Sequence, residues 1–141
     1  MKPIEIFQDN KEYFFEELFN LLRIPSITKN STDVKAAAEW LKKLLERTAD
    51  YVEIIPTEGN PVVLAEWKPQ LQTENKPSIL FYGHYDVQPP EPLDKWHSPP
   101  FEPEVRDGRI YACGLGTTKD NSMHIIVLLT AFTKLMLSVC P

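Results

Sequence analysis

Apolar positions recur along the chain with two different periods, and the change of period marks out its elements. From Asn10 to Leu22, Phe14, Leu18, Leu21 and Leu22 recur at helical spacing, while Glu12, Glu16 and Glu17 turn elsewhere. Arg23-Ile24-Pro25 predicts the end of this helix, because a residue before proline is pushed out of the α region. Ser31, Thr32 and Asp33 offer a second helix start, and that helix is predicted to run to about Arg47. Its apolar set is Val34, Ala37, Ala38, Leu41, Leu44 and Leu45, which makes it the cleanest amphipathic helix in the chain.

Strand-like runs follow. Tyr51 to Ile55 is bounded by Pro56, and Val62 to Trp67 lies between Asn60-Pro61 and Lys68-Pro69. Ile79 to Tyr82 is short, wholly apolar and stops at Gly83, which predicts a strand buried on both faces. Glu104 to Arg106 and Arg109 to Ala112 flank Asp107-Gly108, the dipeptide of a tight two-residue hairpin. A long apolar helix, roughly Asn121 to Leu137, is expected to close the chain. Helices first, then strands, then a helix packed on them predict an α/β layered domain with a largely parallel or mixed sheet. Its His84 to Gln88 loop would lie at the carboxyl end of the Ile79 to Tyr82 strand.

Composition narrows the function classes. In 141 residues, 43% are hydrophobic and 25% charged, the balance of a soluble globular protein. A net charge of −5 without a basic stripe argues against nucleic acid, since neutralising phosphates needs clustered Lys and Arg. The first ten residues carry Glu5 and Asp9 and lack a signal-peptide pattern. The apolar stretch Ile125 to Leu137 is interrupted by Lys134 and falls short of the ~20 residues of a spanning helix. No membrane association is expected. Two cysteines, Cys113 and Cys140, fit a reducing compartment and point to the cytoplasm. Six of the 13 prolines fall between Pro89 and Pro103, either a stiff excursion or a Pro-x-x-P ligand for an aromatic groove.

The chemistry concentrates in Gly83-His84-Tyr85-Asp86-Val87-Gln88. In extended chain, residues two apart share a face, so His84 and Asp86 can meet. One imidazole nitrogen can then bind a metal while the other donates to the carboxylate, which fixes the tautomer. The alternative is a histidine and an aspartate that simply hydrogen-bond within a loop. His97 reads as an exposed loop residue, His124 as core-edge packing, Asp120 as a helix N-cap and Cys113 as a small buried thiol. There is no phosphate loop, G-x-S-x-G elbow or C-x-x-C pair.

The segment Ile79 to Pro89 is followed by Trp96, Pro99-Pro100-Phe101 and Arg109-Ile110-Tyr111-Ala112. This series resembles the front part of the M20 family of metallopeptidases, most closely its dipeptidase branch of carnosine-type and related cytosolic dipeptidases. There the phrase reads G-H-x-D-V-Q-P, then W-x-x-x-P-F-x-P, then D-G-x-x-Y-x-R-G and an acidic D-x-K-G. The match extends from Arg23-Ile24-Pro25-Ser26 to about Lys119. The resemblance implies a three-layer α/β/α catalytic domain with a co-catalytic pair of zinc ions that cleaves amide bonds of short peptides or dipeptides. It assigns His84 as a metal ligand and Asp86 as the residue that orients it. A bridging aspartate, a glutamate pair and a late histidine complete the family's site.

The chain departs from that pattern in the acidic phrase. Aligned on Gly114 and Lys119, the bridging aspartate becomes Thr117, its acidic neighbour Thr118, and the family arginine Cys113. A threonine hydroxyl cannot hold two dications as a carboxylate does. Asp120 comes three positions late, and the chain reaches Cys140-Pro141 before the family's glutamate pair, lid domain and last histidine. The expectation is therefore that residues 1–141 are the N-terminal portion of an M20-type catalytic domain, truncated, without the lid or dimerisation domain, and inactive by itself. The alternative is a non-catalytic remnant, or an interaction module that pairs with a full-length relative.

Overall fold

A computed structural model describes residues 3–68, 77–115, 119 and 123. Three helices lead: α1 (Pro3–Asp9), α2 (Lys11–Arg23) and α3 (Ser31–Leu45). The short α1 was not predicted. Proline suits its first position, where no intrahelical N–H bond is needed, and Ile6 is buried while Phe7 stacks on Phe14 at 5.8 Å. Asn10 separates α1 from α2, its amide and side chain both donating to the Ile6 carbonyl. α2 ends where Ile24 turns to extended backbone ahead of Pro25. α3 starts after Asn30, whose side-chain oxygen accepts from the Asp33 N–H at 3.5 Å. It stops two residues short of the expected Arg47, which instead reaches back to Tyr13 and Glu17 on α2.

β1 (Tyr51–Ile55) and β2 (Val62–Glu66) pair antiparallel, with Tyr51 opposite Glu66 and Ile55 opposite Val62. The inner face of this hairpin lies on α3, whose periodic residues Val34, Ala37, Ala38, Leu41, Leu44 and Leu45 are all buried. Leu21, Leu41, Leu44, Leu45 and Met123 form the core, joined by Val52, Val63 and Ala65 from the hairpin and by Tyr85. Each such leucine contributes about 1.5–3 kcal/mol through burial.

β3 (Glu104–Arg106) and β4 (Arg109–Tyr111) form the second hairpin. Asp107 and Gly108 both take positive φ, at 49° and 73°, as the Asp-Gly dipeptide predicts for a two-residue turn. Ladders among the described residues are antiparallel, and Ile27 with Val87 makes an isolated parallel bridge. The fold is thus mixed α/β. One expectation is corrected: Ile79 to Tyr82 is not a buried strand. Among the described residues nothing pairs with it, and Ile79, Leu80 and Tyr82 are 78%, 88% and 85% exposed. An apolar run becomes a central strand only when neighbours supply ladder partners on both edges. The expected closing helix, Asn121 to Leu137, lies outside the described residues apart from Met123, so the third layer is not described.

Candidate functional site

Two segments distant in sequence are stitched together beneath His84. The Val87 N–H donates to the Ser26 carbonyl at 2.8 Å, and the Thr28 N–H donates to the Val87 carbonyl at 3.0 Å. The Ser26 hydroxyl, fully buried, donates to the Tyr85 carbonyl at 2.6 Å. The turn after α2, Arg23-Ile24-Pro25-Ser26, therefore holds the loop 84–87 by its backbone, which fixes the direction of the side chains on either side of Tyr85. The Tyr85 ring packs against the core and its hydroxyl donates to the Pro61 carbonyl. Burial, helped by the nearby Asp86 charge, pushes this phenol up to about 12, so it stays protonated.

With the backbone held this way, His84 Nδ1 and Asp86 Oδ1 stand 3.0 Å apart. Both belong to the wall of a cleft of about 380 Å³ that also includes Leu41, Leu45, Leu64 and Tyr82. The imidazole is about half exposed and the carboxylate a quarter exposed, so the pair faces solvent from a fixed base. With Nδ1 directed at the carboxylate, Nε2 is the ring atom that can ligate a cation. A larger cleft of about 610 Å³ lies against the second hairpin, beside Trp96, Arg106 and Tyr111. It contains neither His84 nor Asp86, and chemistry rather than size marks the site.

The proline-rich stretch leads from this loop to the hairpin. The Trp96 indole N–H donates to the Pro90 carbonyl at 2.9 Å, and the Cys113 N–H donates to the Pro100 carbonyl at 2.7 Å. His97 is exposed on the edge of the larger cleft. Cys113 is half-buried, and burial pushes its thiol up against the opposing pull of the Lys119 charge, the reverse of what activates a nucleophile. Thr117, Asp120 and His124 lie outside the described residues.

Lys119 was not singled out as a functional residue by sequence reasoning, although it is the lysine on which the acidic phrase was aligned. It is fully buried, its Nζ donates to the carbonyls of Leu21 and Ile24, and burial pushes the ammonium down to about 8. Ser26 was quoted only as part of the turn, and a serine directly after Ile24-Pro25 was the available signal.

A zinc site takes three or four protein ligands. His84 fits as one ligand with its orienting carboxylate, but the described residues contain no group of three or more His, Cys, Asp or Glu that could hold a metal. Among them no helix is long and apolar enough to cross a membrane.

Comparison with known proteins agrees with this arrangement. The model of peptidase family M20/M25/M40 matches residues 80–137. Succinyl-diaminopimelate desuccinylase of Cupriavidus pinatubonensis is 32% identical over 115 residues, which is 82% of this chain and 30% of the relative. Among solved structures, an M20 family metallo-carboxypeptidase from Sulfolobus solfataricus superposes with a TM-score of 0.73 at 28% identity, covering 86% of this chain and 27% of that one. Human carnosine dipeptidase 1 superposes with a TM-score of 0.83 at 23% identity, covering 95% and 31%, a likeness of fold. The chain spans about 30% of the length of these relatives. Over the part it spans, the chain is similar to the M20/M25/M40 peptidases, whose family model matches residues 80–137.

Proposed function

We propose that this chain carries the His84 limb of a zinc-dependent amide hydrolase of the dipeptidase type, and that these 141 residues do not turn substrate over by themselves. The observation that supports the reading is the His84 Nδ1 to Asp86 Oδ1 contact of 3.0 Å at a cleft, on a backbone anchored to Ser26. Asp86 holds the imidazole in one tautomer and raises its basicity, and Nε2 is the nitrogen that would meet a cation. A zinc ion held there, with His84 as one of the residues that would hold it, would supply Lewis-acid chemistry toward an amide carbonyl. His84 supplies one ligand, Thr117 offers a hydroxyl at the bridging position, and no further step is assigned to the residues present. Short peptides are the proposed substrates, and the cytoplasm the proposed compartment.

The desuccinylase likeness at 32% identity favours a second substrate class, an amide whose acyl part is a succinyl group. An interaction role is supported by the exposed apolar run Ile79 to Tyr82, which could pair with a full-length relative.

The test joins calorimetry with zinc to an assay on a dipeptide panel and a succinylated amine. Weak zinc binding is expected, lost in His84→Ala and about tenfold weaker in Asp86→Asn, with no turnover. Binding that survives His84→Ala overturns the ligand assignment. Chelator-sensitive hydrolysis that disappears in His84→Ala overturns the claim of inactivity.

A further inference from the structure

Lys119 is fully buried, and among the described residues no carboxylate pairs with it. Taking an ammonium out of water is costly unless it is well hydrogen-bonded, and bonds from a charged donor return more than neutral ones. Its partners here are main-chain carbonyls. Nζ donates to Leu21 O at 3.1 Å and to Ile24 O, at the C-terminal end of α2, where a cation is favoured; the same two carbonyls also accept the Ile24 and Ser26 N–H groups. The Phe101 ring lies 5.9 Å from the same Nζ.

An apolar side chain of equal length would fill this space without desolvating a charge. The ammonium adds direction, since two fixed acceptors define where residue 119 sits. That position is passed on by contact. The Lys119 N–H donates to the Gly114 carbonyl at 3.1 Å. At Gly114 an added Cβ would stand 3.0 Å from Val87 Cγ1 and 3.2 Å from Lys119 Cδ, so these three residues are stacked without spare room. Val87 adjoins Asp86 and is itself bonded to Ser26, two residues beyond Ile24. A closed ring results: α2 end, Lys119, Gly114, Val87, Ser26, and α2 end again.

We infer that Lys119 is a positioning residue, whose buried ammonium locks Gly114 and the His84 to Val87 loop to the end of α2 and so sets the orientation of the His84–Asp86 pair. The functional meaning rests on the metallopeptidase reading; the geometry does not. Lys119→Met keeps the stem and removes the donors. On the full chain, hydrogen exchange should show the hydrogen-bonded amides of Thr28, Val87 and residue 119 losing at least about tenfold in protection while α3 keeps its own, since opening is local when only one anchor is lost. The imidazole nitrogen spectrum of His84 should change from one tautomer to a mixture, a signal that packing alone would not move.

Unchanged loop protection and tautomer overturn the inference, as does an equal loss across α3 and the loop. Should Lys119→Met fail to fold, the wild-type ammonium is read directly. Slow solvent exchange with hydrogen-bond couplings to the Leu21 and Ile24 carbonyls supports the role, and a freely exchanging ammonium overturns it. Failure of zinc binding in the wild type would remove the metallopeptidase reading and leave these outcomes standing.

Discussion

Two glycines of similar backbone conformation allow the packing beneath His84 to be measured separately from backbone strain. Gly108 has φ +73° with open space around an added Cβ, and Gly114 has φ +92° with Val87 Cγ1 at 3.0 Å and Lys119 Cγ at 3.3 Å. Alanine in the left-handed region costs about 1–2 kcal/mol, offset by about 0.4–1 kcal/mol because the unfolded chain loses glycine's freedom. Gly108→Ala should therefore cost about 1 kcal/mol or less. Gly114→Ala adds overpacking against Val87 and Lys119, typically 1–3 kcal/mol, for about 1–4 kcal/mol in all. Urea unfolding followed by tryptophan fluorescence gives both values, and their difference isolates the steric part. A difference near zero would show that the stack of Val87, Gly114 and Lys119 is loose, and would refute the closed ring on which the site's geometry has been argued.

Three shorter expectations accompany it. Ser26→Ala removes the buried donor to the Tyr85 carbonyl and should cost about 1–3 kcal/mol in chemical denaturation, with near-neutral behaviour counting against the stitched loop. Thr117→Asp should strengthen zinc binding in calorimetry without producing turnover, and an unchanged affinity would place Thr117 away from His84. Lys119 is held down to about 8 by burial, so between about pH 8 and 10.5 the unfolded chain keeps a proton that the folded chain has released. Over that window the wild type should gain stability relative to Lys119→Met with rising pH, by at most about 3 kcal/mol, and a flat difference would contradict the burial.

Local patterns of the chain carried most of its local structure. The α3 face from Val34 to Leu45 is buried as its period predicts, β1 spans Tyr51 to Ile55 as read, and Asp107-Gly108 makes the tight turn. Each depends on neighbours a few residues away, which is why a linear reading finds it. Ile79 to Tyr82 depends on something else. Apolar composition states that a segment can be buried, but burial as a strand needs partners on both edges, and no described residue supplies them. The parallel bridge of Ile27 to Val87 was hidden for the same reason, because its partners are 60 residues apart.

The site divides along the same line. His84 and Asp86 were legible because extended chain brings alternate residues to one face whatever lies beneath, and their side chains stand 3.0 Å apart. What holds them was not legible. Ser26 and Lys119 act on carbonyls, at separations of 59 residues for Tyr85 and 95 for Ile24. Carbonyl acceptors leave no mark in a sequence, since every residue has one. A buried lysine paired with a carboxylate could be suspected from a nearby Asp or Glu, but one that bonds main chain has no such partner to betray it. The His84–Asp86 pair is therefore readable from the motif, while the side chains that hold its loop emerge only once the backbone is folded.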